Sequence, residues 1–331
     1  VKEKMKSDRK HRTMKKLAWS LSIAIALIIV TIGSMIAFFP PHSPPPLEAI
    51  AAPFRSVDFS GVPQLSRYTA RDGTQLAYRA YLSPNATHNV VLVHGSSGSS
   101  LSMHPLAEFL QKQGMTAYAL DIRGHGDSGP RGDIAYIGQL EDDLEDFVDQ
   151  VLKQQHEATL IGFSLGGGFA LRFAGSSRQK LFAQYILLAP YLGYDSSANR
   201  PNNGGWANVS TPRMIGILLL GPIGEKLFGH LPVIAYAIDP QFSEYLIPQY
   251  SYRLLRNFSP HYDYRSDIAN AKQPMTVLIG ENDKLFFPSA YKPLFADDQP
   301  DTMVLVVPGA GHVTLTTGPS GISAISKAIV P

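Results

Sequence analysis

The stretch that most restricts how this chain can fold is residues 158–168, ATLIGFSLGGG. Its first six residues carry no charge and suit a strand buried on both faces. From Leu165 onward the chain suits a helix. A serine between two glycines at such a junction occupies a sharp, strained turn that lifts its hydroxyl above the sheet. Side chains at positions 162 and 166 would collide where strand and helix approach, and Gly162 and Gly166 supply none. The helix that follows aims its N-terminus at the serine and favours negative charge there.

The rest of the chain extends this unit into a sheet. Candidate strands at 66–70 and 75–81 flank Arg71-Asp72-Gly73, a hairpin signal. Further candidates lie at 90–93, 116–120, 158–163, 184–188, 275–279 and 302–307, with helical stretches between them, one at 106–113. This alternation predicts an α/β fold with a mostly parallel, eight-stranded sheet covered by helices on both faces. Ile137, Leu140, Leu144, Phe147, Val148, Val151 and Leu152 recur at helical spacing. The outer face of that helix, with Glu141, Asp142, Asp143, Glu145, Asp146 and Asp149, is expected to be solvated rather than to bind a metal. Residues 192–270 break the rhythm and are read as an inserted cap. The apolar run 214–220 (MIGILLL) is expected to be buried there, either packing the cap onto the sheet or lining an acyl pocket above Ser164.

The N-terminus is of another kind. Residues 1–16 hold eight Lys/Arg against Glu3 and Asp8, a net +6, so the remaining chain has 29 − 8 = 21 basic and 27 − 2 = 25 acidic residues, a net −4. Residues 17–39 then carry no charge, and at about 1.5 Å per residue they span roughly 35 Å, enough for a hydrocarbon core of about 30 Å. Basic residues on one side predict a single-pass signal anchor with a cytoplasmic N-terminus and an extracytoplasmic catalytic domain, periplasmic in a bacterium. A cleaved signal peptide is the rival reading, but it calls for a shorter apolar region, and the nearest A-x-A pattern, at 49–51, lies ten residues past the run. The expected organisation is a basic tail (1–16), a transmembrane helix (17–39), a Pro-rich linker (40–60) acting as a stiff spacer, and a globular domain (61–331) with its cap at 192–270. The mildly acidic globular part shows no basic patch for nucleic acid. The chain has no cysteine, which excludes disulfides, thiolate catalysis and Cys-ligated metals.

Ser164 is the candidate nucleophile. Serine nucleophiles in this topology are followed in chain order by an acid and a histidine. His230, His261 and His312 lie beyond Ser164, and His312, in Pro308-Gly309-Ala310-Gly311-His312 directly after the last strand, is the candidate base. Asp283, after the strand at 275–279, is the candidate acid, with Glu281 and Asp195 as rivals. The loop after strand 90–93 begins His94-Gly95-Ser96, so the backbone N–H groups of Ser96 and Leu165 are the candidate oxyanion donors. His94 is expected to shape its loop, and His125, in Asp121-Ile122-Arg123-Gly124-His125-Gly126-Asp127-Ser128, to belong to a structural turn.

The motifs HGSSGSS (94–100), DIRGHGDSG (121–129), GFSLGGG (162–168), GENDKLFFP (280–288) and GAGH (309–312) resemble the monoglyceride lipase/lysophospholipase and serine aminopeptidase branch of the α/β-hydrolases. The resemblance covers about residues 66–331. It implies the α/β-hydrolase fold, the triad Ser164, Asp283 and His312, and acyl transfer with no cofactor and no metal. One stretch differs: relatives usually carry a glycine and an acidic-histidine pair soon after the His-Gly, where this chain has Ser97-Gly98-Ser99-Ser100. The expected substrate is a carboxylic ester with an apolar or lipid-like acyl group, since the cap holds few acids and many aliphatic residues. A serine peptidase or amide hydrolase is the alternative, and a catalytically inactive binding protein a third reading. The expected partners are a small-molecule ester or lipid and, through the N-terminal helix, the membrane.

Overall fold

A computed structural model describes residues 2–86, 88–153 and 158–329. Val1 of the basic tail and Val330 and Pro331 at the end of the globular region lie outside the described residues.

The chain opens on α1 (Lys2–Phe38), followed by the short α2 (Glu48–Phe54). The strands of the main sheet are β1 (Leu65–Thr69), β2 (Gln75–Tyr81), β3 (Asn89–Val93), β4 (Thr116–Leu120), β5 (Ala158–Phe163), β6 (Gln184–Leu188), β10 (Met275–Gly280) and β11 (Met303–Val307). Between β6 and β10 three further strands, β7 (Ala207–Val209), β8 (Pro232–Tyr236) and β9 (Gln249–Ser251), form a small antiparallel sheet. The large sheet has the order β1-β2-β4-β3-β5-β6-β10-β11. Strand β2 pairs antiparallel with β1 and β4, and every other pairing is parallel. This is the α/β-hydrolase architecture. It buries both faces of the central strands: all six residues of β5 and all five of β6 are buried.

Helices α3 (His104–Lys112), α4 (Gln139–Phe147) and α5 (Leu165–Ala174) connect the strands. Helix α5, rich in glycine and apolar residues, is buried along its whole length. The strand order reverses at β3, which has β4 on one side and β5 on the other. Ligands of open α/β sheets bind outside the carboxyl ends of the strands at such a switch point.

The acidic face of α4 is not solvated as the composition suggests. Glu141, Asp143 and Asp146 are buried. Glu141 pairs with Arg172 of α5, Asp143 accepts from Arg123 at 2.7 and 2.8 Å, and Asp146 accepts from Arg71. Those arginines come from three distant segments, so the neutralising charges are invisible in the local pattern.

The Pro-rich stretch does not stand off from the domain as a spacer. His42 N–H donates to Asn208 Oδ1 at 3.1 Å, Leu47 N–H donates to the Ala237 carbonyl at 3.3 Å, and Arg55 of the α2 C-cap pairs with both Glu48 and Asp239. The apolar residues Leu47, Ile50 and Phe54 are half-buried, and α2 packs against the short helix Thr314–Thr317 that follows His312.

The run 214–220 also departs from expectation. Helix α6 (Thr211–Leu219) carries all of it but Leu220, which leads into α7 (Gly221–Phe228), and only Gly216 and Ile217 within it are buried. Leu218 and Leu219 are 62% and 63% exposed. The inner face of α6 rests on α1 rather than on the sheet. A Cβ at Gly216 would come within 2.8 Å of Ile36 and 3.3 Å of Met35.

Candidate functional site

At the end of β5 the backbone turns at Ser164, with φ 55° and ψ −117°. A non-glycine residue in that region is strained and must be held by its surroundings. Here Ser164 N–H donates to the Leu188 carbonyl at 2.8 Å, and its own carbonyl accepts from Tyr191 at 2.9 Å and Gly168 at 3.1 Å. The flanking glycines are required sterically. A Cβ at Gly162 would overlap the Gly166 carbonyl, and one at Gly166 would overlap the His94 carbonyl. The side chain of Ser164 is thereby fixed at the N-terminus of α5.

His312 follows β11, and its ring meets Ser164 from the adjoining end of the sheet. His312 Nε2 lies 3.1 Å from Ser164 Oγ, and Nδ1 lies 2.7 Å from Asp283 Oδ2. Asp283 as acceptor requires the proton on Nδ1, which leaves Nε2 bare toward the serine hydroxyl. Phe163 and Phe286 flank the imidazole with ring centroids at 4.9 and 5.3 Å. Asp283 is fully buried, and its second oxygen accepts from the N–H groups of Leu285 at 2.7 Å and Phe286 at 2.9 Å. Burial pushes this carboxyl up, but His312 and the two N–H groups outweigh it and hold it below the usual carboxylate range.

The rival acids lie elsewhere. Glu281 accepts from Gly309 N–H at 2.9 Å and so ties down the loop that carries His312. Asp195 is exposed. His261 bonds Asp267, and His230 is at the surface.

Ser96 and Leu165 flank Ser164 as the loop after β3 and the first turn of α5. Neither backbone N–H finds an acceptor among the described residues. The loop is braced from both sides. His94 is buried, its Nε2 accepting from Ile122 N–H and its Nδ1 donating to the Gly95 carbonyl. Burial holds His94 and His125 neutral by lowering their pKa. Asp121 accepts from Ser100 N–H at 2.7 Å. His125 Nδ1 donates to the Arg123 carbonyl, so its Nε2 is the acceptor for the Tyr250 hydroxyl, whose oxygen accepts from Ser97 N–H. Trp206 Nε1 donates to Ser96 Oγ at 2.8 Å. The roles of Tyr250 and Trp206 were not legible in the sequence, because both lie in the cap more than a hundred residues from the loop they hold.

A cavity of about 400 Å³ opens over Ser164 and His312. Its walls come from the loop after β3, from cap residues such as Trp206, Ile238 and Phe242, and from Leu47, Ile50 and Phe54 around α2. Nothing from 214–220 reaches it. Among the described residues that line it, Asp239 is the one acid, and its carboxylate is taken by Arg55 and by Gln241.

Comparison with known proteins agrees in fold. The family model described as serine aminopeptidase, S33, matches residues 84–317. A monoacylglycerol lipase of Mycolicibacterium smegmatis is 28% identical over 236 residues, 67% of this chain and 80% of the lipase. The crystal structure of a soluble variant of monoglyceride lipase from Saccharomyces cerevisiae superposes with a TM-score of 0.64 at 19% identity, covering 82% of this chain and 98% of that one. A monoacylglycerol lipase structure from Paleococcus ferrophilus gives a TM-score of 0.59 at 21% identity over 77% and 98%.

Proposed function

The chain belongs to the serine aminopeptidase S33 family and is a serine hydrolase of the lipase and esterase type, and from that premise we propose that it cleaves carboxylic esters of apolar, lipid-like acyl groups through an acyl-enzyme on Ser164. The observation that carries this reading is the apolar cavity joined to the Ser164–His312–Asp283 hydrogen-bond chain.

Ser164 Oγ attacks the ester carbonyl while His312 Nε2 takes its proton. Asp283 keeps the other ring nitrogen protonated and stabilises the imidazolium that forms. The tetrahedral oxyanion takes the N–H groups of Ser96 and Leu165, and each such donor contributes about 3–4 kcal/mol to the transition state. His312 returns the proton to the leaving alcohol. Water then attacks the acyl-enzyme with the same histidine as base, releasing the acid and restoring the serine.

An aminopeptidase must also hold a substrate ammonium group. The acid in this cavity, Asp239, is already paired with Arg55, which favours an uncharged acyl chain.

We infer further that α1 is a retained membrane anchor. It is the one helix among the described residues long and apolar enough to cross a bilayer. Signal cleavage after 49–51 would remove the partners of Arg213, which donates to the carbonyls of Ile36 and Ala37, and of Ser210, which donates to that of Phe39.

The test is a series of esters of graded acyl length assayed beside aminoacyl amides. The expected result is a kcat/KM that rises from acetyl toward medium chains by up to about fourfold per methylene, the equivalent of about 0.8 kcal/mol. A preference for acetyl esters or for aminoacyl amides would contradict the reading.

A further inference from the structure

Ten consecutive residues of the cap, 214–223, carry no charge and yet leave a broad apolar face uncovered. Ile215, Leu218, Leu219, Ile223 and Leu227 are between 42% and 66% exposed, all on the helical pair α6 and α7. Contiguous apolar surface of this kind on a folded domain marks a site of association. Its occupant follows from where α6 sits.

Helix α6 lies directly against α1. Gly216 brings the two backbones together, so that a Cβ there would stand 3.4 Å from the Ile32 carbonyl and 2.8 Å from Ile36. Small residues serve this purpose where helices pack in lipid. The last carbonyls of α1 are satisfied by this same cap. Arg213 Nε donates to Ile36 at 2.8 Å, and Ser210 donates to Phe39. The contact therefore has a fixed register along α1. The apolar run 17–39, of which α1 forms all but Phe39, ends three residues beyond Ile36 and seven beyond Ile32. At about 1.5 Å per residue, α6 packs about 5–10 Å below the end of that run. That is the depth at which amphipathic helices lie in a bilayer, about 5–10 Å into the boundary between headgroups and acyl chains. The apolar side chains of α1 between Leu17 and Val30 are exposed as well, and α1 is the helix against which α6 packs. Lys226, next to Leu227 on α7, is exposed.

We propose that α6 and α7 of the cap dock into the outer leaflet beside α1, so that the catalytic domain is seated on the membrane surface rather than tethered above it. This rests on the reading of α1 as a membrane anchor. It places the cap, which also walls the cavity above Ser164, at the level of the lipid acyl chains.

The absence of cysteine makes the test clean. The full chain is reconstituted in phosphatidylcholine vesicles as four single-cysteine variants, Leu27→Cys in α1, Leu219→Cys in α6, Ile223→Cys in α7 and Lys180→Cys at the end of the sheet opposite the cap. Each is labelled with a polarity-sensitive fluorophore and titrated with lipids bearing a nitroxide near the top of the acyl chain. Docking predicts several-fold stronger quenching at 219 and 223 than at 180, together with quenching at 27 by nitroxides placed deeper in the chain. Quenching at 27 with positions 219 and 223 behaving like 180 would overturn the docking and leave the anchor intact. A label at 27 that no nitroxide reaches would overturn the anchor and the docking with it.

Discussion

Asp283 and Glu281 stand two residues apart, and their surroundings assign them different work. Asp283 accepts three hydrogen bonds inside the protein, one of them from His312, while Glu281 holds Gly309 at the surface. Asp283→Asn should lower kcat by about 10⁴-fold, because an amide favours the wrong imidazole tautomer. Glu281→Gln should leave kcat near that of the parent, and steady-state kinetics giving the reverse order would reject Asp283 as the orienting acid. The depressed carboxyl pKa of Asp283 adds a pH signature. A lowered pKa contributes stability above the ordinary value of about 3.9 and loses it as pH falls through the folded value. Denaturant titrations over an acid pH series should therefore show a shallower loss of stability in Asp283→Asn than in the parent. Tyr250→Phe removes the hydroxyl that accepts from Ser97 N–H, and it should lower kcat by less than the 10²–10³-fold typical of deleting an oxyanion donor, with KM little changed. Ser164 and His312 were legible because strand, glycine turn and side chain are adjacent in the chain. Tyr250 and Trp206 were not, because their contacts span a hundred residues or more.

At the scale of elements, the strands of the main sheet stand out in the sequence as uncharged runs bounded by turns. Strands β7 and β9 have three residues each, too short to show alternation, so the small cap sheet escaped notice. The ion pairs beneath α4 escaped for a different reason. Side chains of Glu141 and Arg172 are nine-tenths buried against each other, and the pattern of α4 alone cannot report a partner on α5. Arg172→Met leaves Glu141 buried without its cation, and the thermal or chemical unfolding transition should show a loss of about 3–5 kcal/mol. Helix α2 makes a separate claim. It lies outside the family match at 84–317, yet Ile50 and Phe54 wall the cavity. Ile50→Ala and Phe54→Ala should flatten the rise of kcat/KM with acyl length while sparing acetyl esters. A chain trimmed to begin at Ala51 should show the same flattening, since it loses Leu47 and Ile50. Unchanged chain-length profiles would remove α2 from the acyl-binding wall.

For the molecule as a whole, a long apolar N-terminal helix, a docked linker and a hydrolase domain form one connected body, in which the N-terminal segment both supports the cap and closes the site. If α1 is a retained anchor, the protein should stay with membranes through carbonate extraction, and its mature N-terminus should lie ahead of residue 17. An N-terminus near residue 52 would show a cleaved signal instead. Whether the molecule works as an acyl-transfer enzyme comes down to one atom, Ser164 Oγ. The direct measurement is covalent labelling of the intact full-length protein with a fluorophosphonate, read by mass spectrometry of the whole chain and of its peptides. The account predicts a single adduct, located on Ser164 and absent from a folded Ser164→Ala variant. A parent protein that stays unlabelled, or a Ser164→Ala variant that labels as the parent does, would contradict it.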